Sequence, residues 1–122
     1  MKYFLKKYII FLYILIIFSL SSIPGDGIIV DINQFGFDKV LHFFEYFILG
    51  LLLSTFLRNK SLVYNVGYIL VVFIPILDEF WVQRLSLRNV DVLDFWANFA
   101  GLYFGIIIYF LIGKFYVKKN SN

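Results

Sequence analysis

Cysteine is absent from the 122 residues, histidine occurs once and proline twice. Without cysteine there is no disulfide framework, no thiol nucleophile and no thiolate metal site. Charge is scarce as well: Asp, Glu, Lys and Arg make up 16% of the chain, against 61% hydrophobic and 22% aromatic residues. With a mean hydropathy of +0.85, the chain is too apolar for a soluble domain of this size and reads as an integral membrane protein. Strand-type alternation of apolar and polar residues is missing, which argues against a β-barrel. Also missing are a Ser-His-Asp order, a Gly-rich phosphate loop, a nucleotide fingerprint and a metal motif of the His-Glu-x-x-His kind, so no cofactor and no metal are expected.

What is present is a series of long apolar runs separated by short polar gaps. Four spans are predicted, at about residues 8–23, 40–57, 62–77 and 95–112, several of them near the lower limit for crossing a hydrocarbon core of roughly 30 Å. The gaps are too short to fold independently, so residues 1–122 form one domain. The first run follows Lys2, Lys6 and Lys7 and is closed by Pro24-Gly25-Asp26-Gly27. It shares features with a secretory signal peptide but lacks a strong Ala-x-Ala site, and it is read as a retained span. Residues 25–37 read as an outer loop, Arg58-Asn59-Lys60 as a tight inner turn, and residues 80–93 as an outer connection.

Lys2, Lys6, Lys7, Arg58, Lys60, Lys114, Lys118 and Lys119 fall on one side of these spans, and Lys39, Arg84 and Arg88 on the other. The positive-inside rule then puts both termini in the cytoplasm of a multi-pass cell-membrane protein. The expected fold is all-α, an integral membrane four-helix bundle. Trp81 and Trp96 mark its outer interface, and Tyr3, Tyr8, Tyr64 and Tyr116 its inner one. The net charge of +3 flanks apolar runs in separate clusters, so membrane lipids rather than nucleic acid are the expected partners.

All eight acidic residues lie on the predicted outer side, and several share helical faces. Asp38, His42 and Glu45 follow spacings of four and three at the start of the second span. Asp38 is also placed to cap that helix, while Lys39 reads as a snorkelling, topological residue. Asp78 and Glu79 sit at the predicted end of the third span, where the dipole opposes negative charge. Adjacent positions diverge by about 100°, so one is expected to face the helices and the other the loop, with Arg84 and Arg88 as the nearest cationic partners. In the fourth span Asp91, Asp94, Asn98, Gly101 and Gly105 form one polar-to-small stripe. Ala97, Gly101 and Gly105 make a small-xxx-small pattern suited to close helix packing. The candidate cluster is therefore Asp38, His42, Glu45, Asp78, Glu79, Arg88, Asp94 and Asn98.

In this order the residues resemble the VanZ-like family of small bacterial membrane proteins. The resemblance spans about residues 36–112. It rests on Asp38-Lys39-x-x-His42-x-x-x-Tyr46, on Asp78-Glu79, and on Arg88 followed by Asp94, Asn98 and Gly101. Two departures stand out. Trp81 and Val82 occupy positions where the family commonly has His and then Gln, Gln83 coming one position late, and Ser86-Leu87 replaces a Pro-Gly. The resemblance implies a four-span protein of the bacterial envelope, from a family whose named member is associated with resistance to the glycopeptide teicoplanin, and it implies no particular reaction.

Three functions remain open on the sequence. The outer cluster can bind a lipid or a lipid-linked cell-wall precursor, with Arg88, Lys39 and helix N-termini suiting phosphate and the carboxylates suiting an amine. It can instead belong to a headgroup-modifying enzyme in which His42 is the general base, Glu45 or Asp94 orients it and Arg88 stabilises negative charge. The third reading is a structural or assembly protein, forming a homo-oligomer through the polar and glycine stripes.

Overall fold

The computed structural model describes the backbone of residues 2–23, 36–56, 62–85 and 91–119, and the side chains of residues 7–23, 36–56, 66–85 and 91–113. Among these residues every regular element is helical. Helix α1 is Lys2–Ser21, α2 is Phe37–Phe56, α3 is Leu62–Leu70 and α4 is Phe73–Leu77. A π-helical turn follows over Asp78–Val82, then the short α5 at Gln83–Leu85 and the long α6 at Val92–Lys119. Phe37–Phe56, Val66–Leu85 and Val92–Gly113 are long and apolar enough to cross a membrane, whereas Lys7–Ser21 is apolar but shorter. Large apolar side chains point outward along these helices, among them Ile69, Trp81 and Leu93, each more than three-fifths exposed. Such a surface suits lipid as solvent, and the protein is a helical membrane protein.

The third span departs from its predicted limits for two local reasons. Pro75 has no N–H and its ring crowds the carbonyl four residues back. The ladder is accordingly interrupted at Val71 and Val72, where Ile74 N bonds Val71 O at 3.1 Å instead. Beyond Leu77 the helix does not stop at the carboxylates. Residues 80–85 contain neither Gly nor Pro, and the rod continues to Leu85, so Asp78 and Glu79 lie within it rather than at its end. The predicted connection at 80–93 is thus helical at both its edges. Helix α6 starts at Val92, not Phe95, because Asp91 caps it: its Oδ1 accepts the Leu93 N–H at 2.8 Å. Helix α1 likewise begins before Tyr8, since its lysines favour helix as well as any apolar residue.

The closest packing is between α2 and α6. A methyl group on Gly101 would run into the Phe43 carbonyl oxygen, one on Gly105 into that of Phe47, and one on Gly50 into that of Leu102. The pairs 43–101 and 47–105 advance in the same sense, so α2 and α6 run parallel with their N-termini side by side. Ala97, the third member of the predicted small-residue stripe, is half-buried. The Tyr103 hydroxyl donates to Tyr68 O at 3.3 Å, and the rod from α3 to α5 runs back from there to the starts of α2 and α6. The Tyr13 hydroxyl donates to Glu45 O at 3.0 Å, while Ile10 and Leu53 line one cavity, so α1 runs antiparallel to α2. Ile17, Tyr46, Leu49 and Leu102 are fully enclosed.

Gly101→Ala should lower the stability of the detergent-solubilised protein by about 1 to 3 kcal/mol, because the colliding atom is backbone and cannot repack. Gly113, with open space around its Cβ position, is the control: Gly113→Ala should leave the thermal midpoint unchanged or raise it.

Candidate polar site at the helix starts

Two parallel helices that begin side by side present their positive dipole ends and orphan N–H groups together. Carboxylates are favoured at such a place, and five positions there supply them. Asp38 lies in the first turn of α2, Asp94 in the first turn of α6, and Asp91 caps α6. The rod returning from α3 brings Asp78 and Glu79 alongside. Glycine at position 36, in the left-handed region with φ of 66°, lets the chain turn into α2, and its carbonyl accepts the Lys39 N–H at 3.1 Å.

Lys39 occupies the centre. Its Nζ donates to Asp38 Oδ2 at 2.8 Å, to Asp91 Oδ2 at 2.7 Å and to Asp94 Oδ1 at 2.6 Å. One ammonium thereby uses its three N–H donors on three carboxylates from two helices. Lys39, read from the sequence as a topological residue, thus also links α2 to the start of α6 through these carboxylates. The capping role expected of Asp38 is also revised, since Gly36 starts the helix and the Asp38 carboxylate is held by Lys39. Asp91 lies outside the spans, and the hydrogen bond from Lys39 holds its carboxyl below the usual carboxylate range, helped by the Leu93 N–H.

Beneath this layer are groups that are nearly or fully buried. Asp78 and Glu79 are both enclosed completely, which corrects the expectation that one of them faces the loop. The π turn is the reason: the Gln83 N–H reaches Asp78 O, five residues back, and the widened turn keeps Asp78, Glu79 and Gln83 all inward. Asp78 Oδ2 accepts the Tyr46 hydroxyl at 2.9 Å. Glu79 Oε2 accepts the Gln83 amide at 2.6 Å, and its Oε1 accepts the Asp91 N–H at 2.8 Å. Among the described residues the donors to these two carboxylates are neutral groups. Arg84 is exposed, and Arg88 lies outside the described residues.

His42 sits between two carboxylates without bonding either. Its Nε2 is 3.8 Å from Asp94 Oδ2 and its Nδ1 is 3.9 Å from Glu45 Oε2, both beyond hydrogen-bond reach. Asn98, one turn below Asp94, has no exposed surface, and neither its Oδ1 nor its Nδ2 has a hydrogen-bond partner among the described residues. His42 Nδ1 is buried and unbonded in the same way.

The described members of the predicted cluster therefore meet at one end of the helices. The sequence reading left out Lys39, Tyr46, Gln83 and Asp91 from that cluster. Signals for three of them were present: Tyr46 continues the Asp38-His42 spacing of four, Gln83 follows Glu79 by four, and Asp91 precedes Asp94 by three. Among the described residues no group of three His, Cys, Asp or Glu side chains is arranged to hold a metal ion. No protein-family model, curated protein or solved structure matches the chain.

Lys39→Met should destabilise the protein by about 2 kcal/mol, less than the ~3–5 kcal/mol of a fully buried pair because about a quarter of the Lys39 side chain is exposed. The pH dependence has a definite sign. A carboxyl held low in the folded state contributes stability above its ordinary pKa of roughly 4 and loses it as pH falls through the lowered value. A thermal-midpoint titration should show that acid loss in the wild type, and Asp91→Asn, which keeps an oxygen to cap Leu93, should remove this component of it.

Proposed function

We propose that the chain is a VanZ-like protein of the bacterial cell membrane, a four-span bundle with cytoplasmic termini, whose outer-face site binds the headgroup of a lipid or of a lipid-linked cell-wall precursor. The observation that carries the binding reading is Asn98, a fully enclosed amide with no bond from either polar atom to any described residue. Buried polar groups without internal partners are rare and call for a ligand or water. The site lies at the helix ends, beside the exposed Trp81 and Trp96, at the depth where such rings meet headgroups. Lys7 lies toward the opposite end, beside Leu53 and Phe56, which supports the cytoplasmic assignment of the termini.

Two features support the family reading. Asp38, Lys39, His42, Tyr46, Asp78, Glu79, Asp94 and Asn98, the polar motif residues that are described, lie at one end of the helices although more than fifty positions separate the first from the last. The π turn also absorbs one extra residue, which returns the late Gln83 amide to the interior and onto Glu79. The catalytic alternative gains nothing comparable, since His42 has no hydrogen-bonded carboxylate to orient it. A structural role has one observation in its favour, the Lys39 link between α2 and α6.

Mass spectrometry of lipid bound to protein extracted from native membrane separates the two. The wild type should carry a defined lipid, and Arg88→Ala should lose it at unchanged membrane abundance. Lower abundance with the lipid retained would favour the structural role instead.

A further inference from the structure

We propose a second lipid site, at the end of the helices opposite the polar site: a cavity that holds one acyl chain of an anionic phospholipid, with Lys7 at the headgroup phosphate. The cavity has a volume of about 160 Å³ and is open on one side. It is lined by Lys7 and Ile10 of α1, Leu53 and Phe56 of α2, Gly67 of α3 and Val71 just beyond α3. Ile10, Leu53 and Val71 are buried, so the cavity reaches into the core between three helices. Gly67 brings no side chain to its wall. An apolar cavity of this size stays dry and takes an apolar guest. In a bilayer that guest is a hydrocarbon chain, which gives up no hydrogen bond on entering, whereas a water molecule would give up all of its own.

The sign of the headgroup follows from where the chain has no acid. No Asp or Glu occurs in residues 1–25, 46–77 or 95–122, which include every residue lining the cavity. Asp38, Glu45, Asp78, Glu79, Asp91 and Asp94 belong to the opposite end, and Asp26 and Asp31 fall in the stretch of chain that joins the far ends of α1 and α2. The ion pairs of the described residues likewise lie at that opposite end. Lys7 is exposed, and its apolar stem can follow the lip of the cavity while its ammonium stays at headgroup depth. In sequence, Lys2 and Lys6 precede it, and Arg58 and Lys60 stand between α2 and α3. Such a setting attracts an anionic headgroup. A zwitterionic one brings its own cation to the phosphate and gains less from Lys7.

The test uses the full-length protein in nanodiscs of phosphatidylcholine containing small equal amounts of phosphatidylglycerol and phosphatidylethanolamine, read by native mass spectrometry of the retained lipid. The wild type should keep one phosphatidylglycerol per chain, preferred over the other two by about fivefold, the scale of one basic residue beside an anionic headgroup. Lys7→Gln should remove the preference but keep one lipid. Gly67→Leu, which fills the cavity and replaces a poor helix former, should remove the retained lipid without lowering the thermal midpoint. Ile10→Phe narrows the cavity from the α1 side and should give the same loss. Lys118→Gln, which removes a charge from the same flank, and Arg88→Ala, which tests the polar site, should both leave this lipid in place. Glycerol phosphate at millimolar concentration should not displace it, because it has no chain to bury. Retention that survives Gly67→Leu and Ile10→Phe would overturn the cavity as the site. Equal losses in Lys118→Gln and Lys7→Gln would reduce the effect to general attraction and overturn the role of Lys7. Displacement by glycerol phosphate, or a lipid-free wild-type dimer, would overturn the acyl chain as the occupant.

Discussion

The contact on which everything else depends is the close approach of α2 and α6 through Gly50, Gly101 and Gly105. In lipid there is no hydrophobic effect to drive helices together, so association relies on van der Waals fit and interhelical polar contacts. Three glycines facing three backbone carbonyls supply that fit. Because the two helices are parallel, the same contact brings their N-termini together, and with them the residues of their first turns. Lys39 can reach Asp91 and Asp94 only because the glycines below have removed the side-chain layer that would otherwise hold the helices apart.

Two parallel dipoles whose positive ends meet repel one another. Asp38, Asp91 and Asp94 answer that repulsion by placing negative charge where the two positive ends converge, and Lys39 then limits the repulsion among the three carboxylates. The arrangement is layered: a partly exposed ionic layer at the helix starts, a buried layer in which Asp78 Oδ2 and both Glu79 oxygens accept neutral donors below it, and the tight glycine contact below that. Asn98 and His42 lie in the middle layer, where both polar atoms of the Asn98 amide and the His42 Nδ1 have no hydrogen-bond partner among the described residues.

Much of this organisation is legible in the residue pattern, and the failures have specific physical origins. Helical periodicity exposes the Asp94-Asn98-Gly101-Gly105 stripe because side chains on one α-helical face recur every three or four residues. The same rule misplaces Asp78 and Glu79, since it assumes 3.6 residues per turn at the one place where the turn widens. Gly50 has a small residue, Ser54, at helical spacing, but the surface it packs on emerges only from the facing Leu102 carbonyl. Lys39 illustrates a different limit. Its topological weight and its ionic bonds draw on the same charge, and only the distance to residues fifty positions away decides between them.

Pro75 and the π turn interrupt one rod within a few residues of each other. Ordinary ladder hydrogen bonds are missing on both sides of α4, while α2 and α6 hold together through unbroken backbone contact. Between Val71 and Val82 the regular α-helical ladder therefore changes pattern twice. The wall of the site formed by the third helix is thus shaped by a proline and a widened turn, whereas the two walls that carry Lys39 and Asn98 are set by glycine packing.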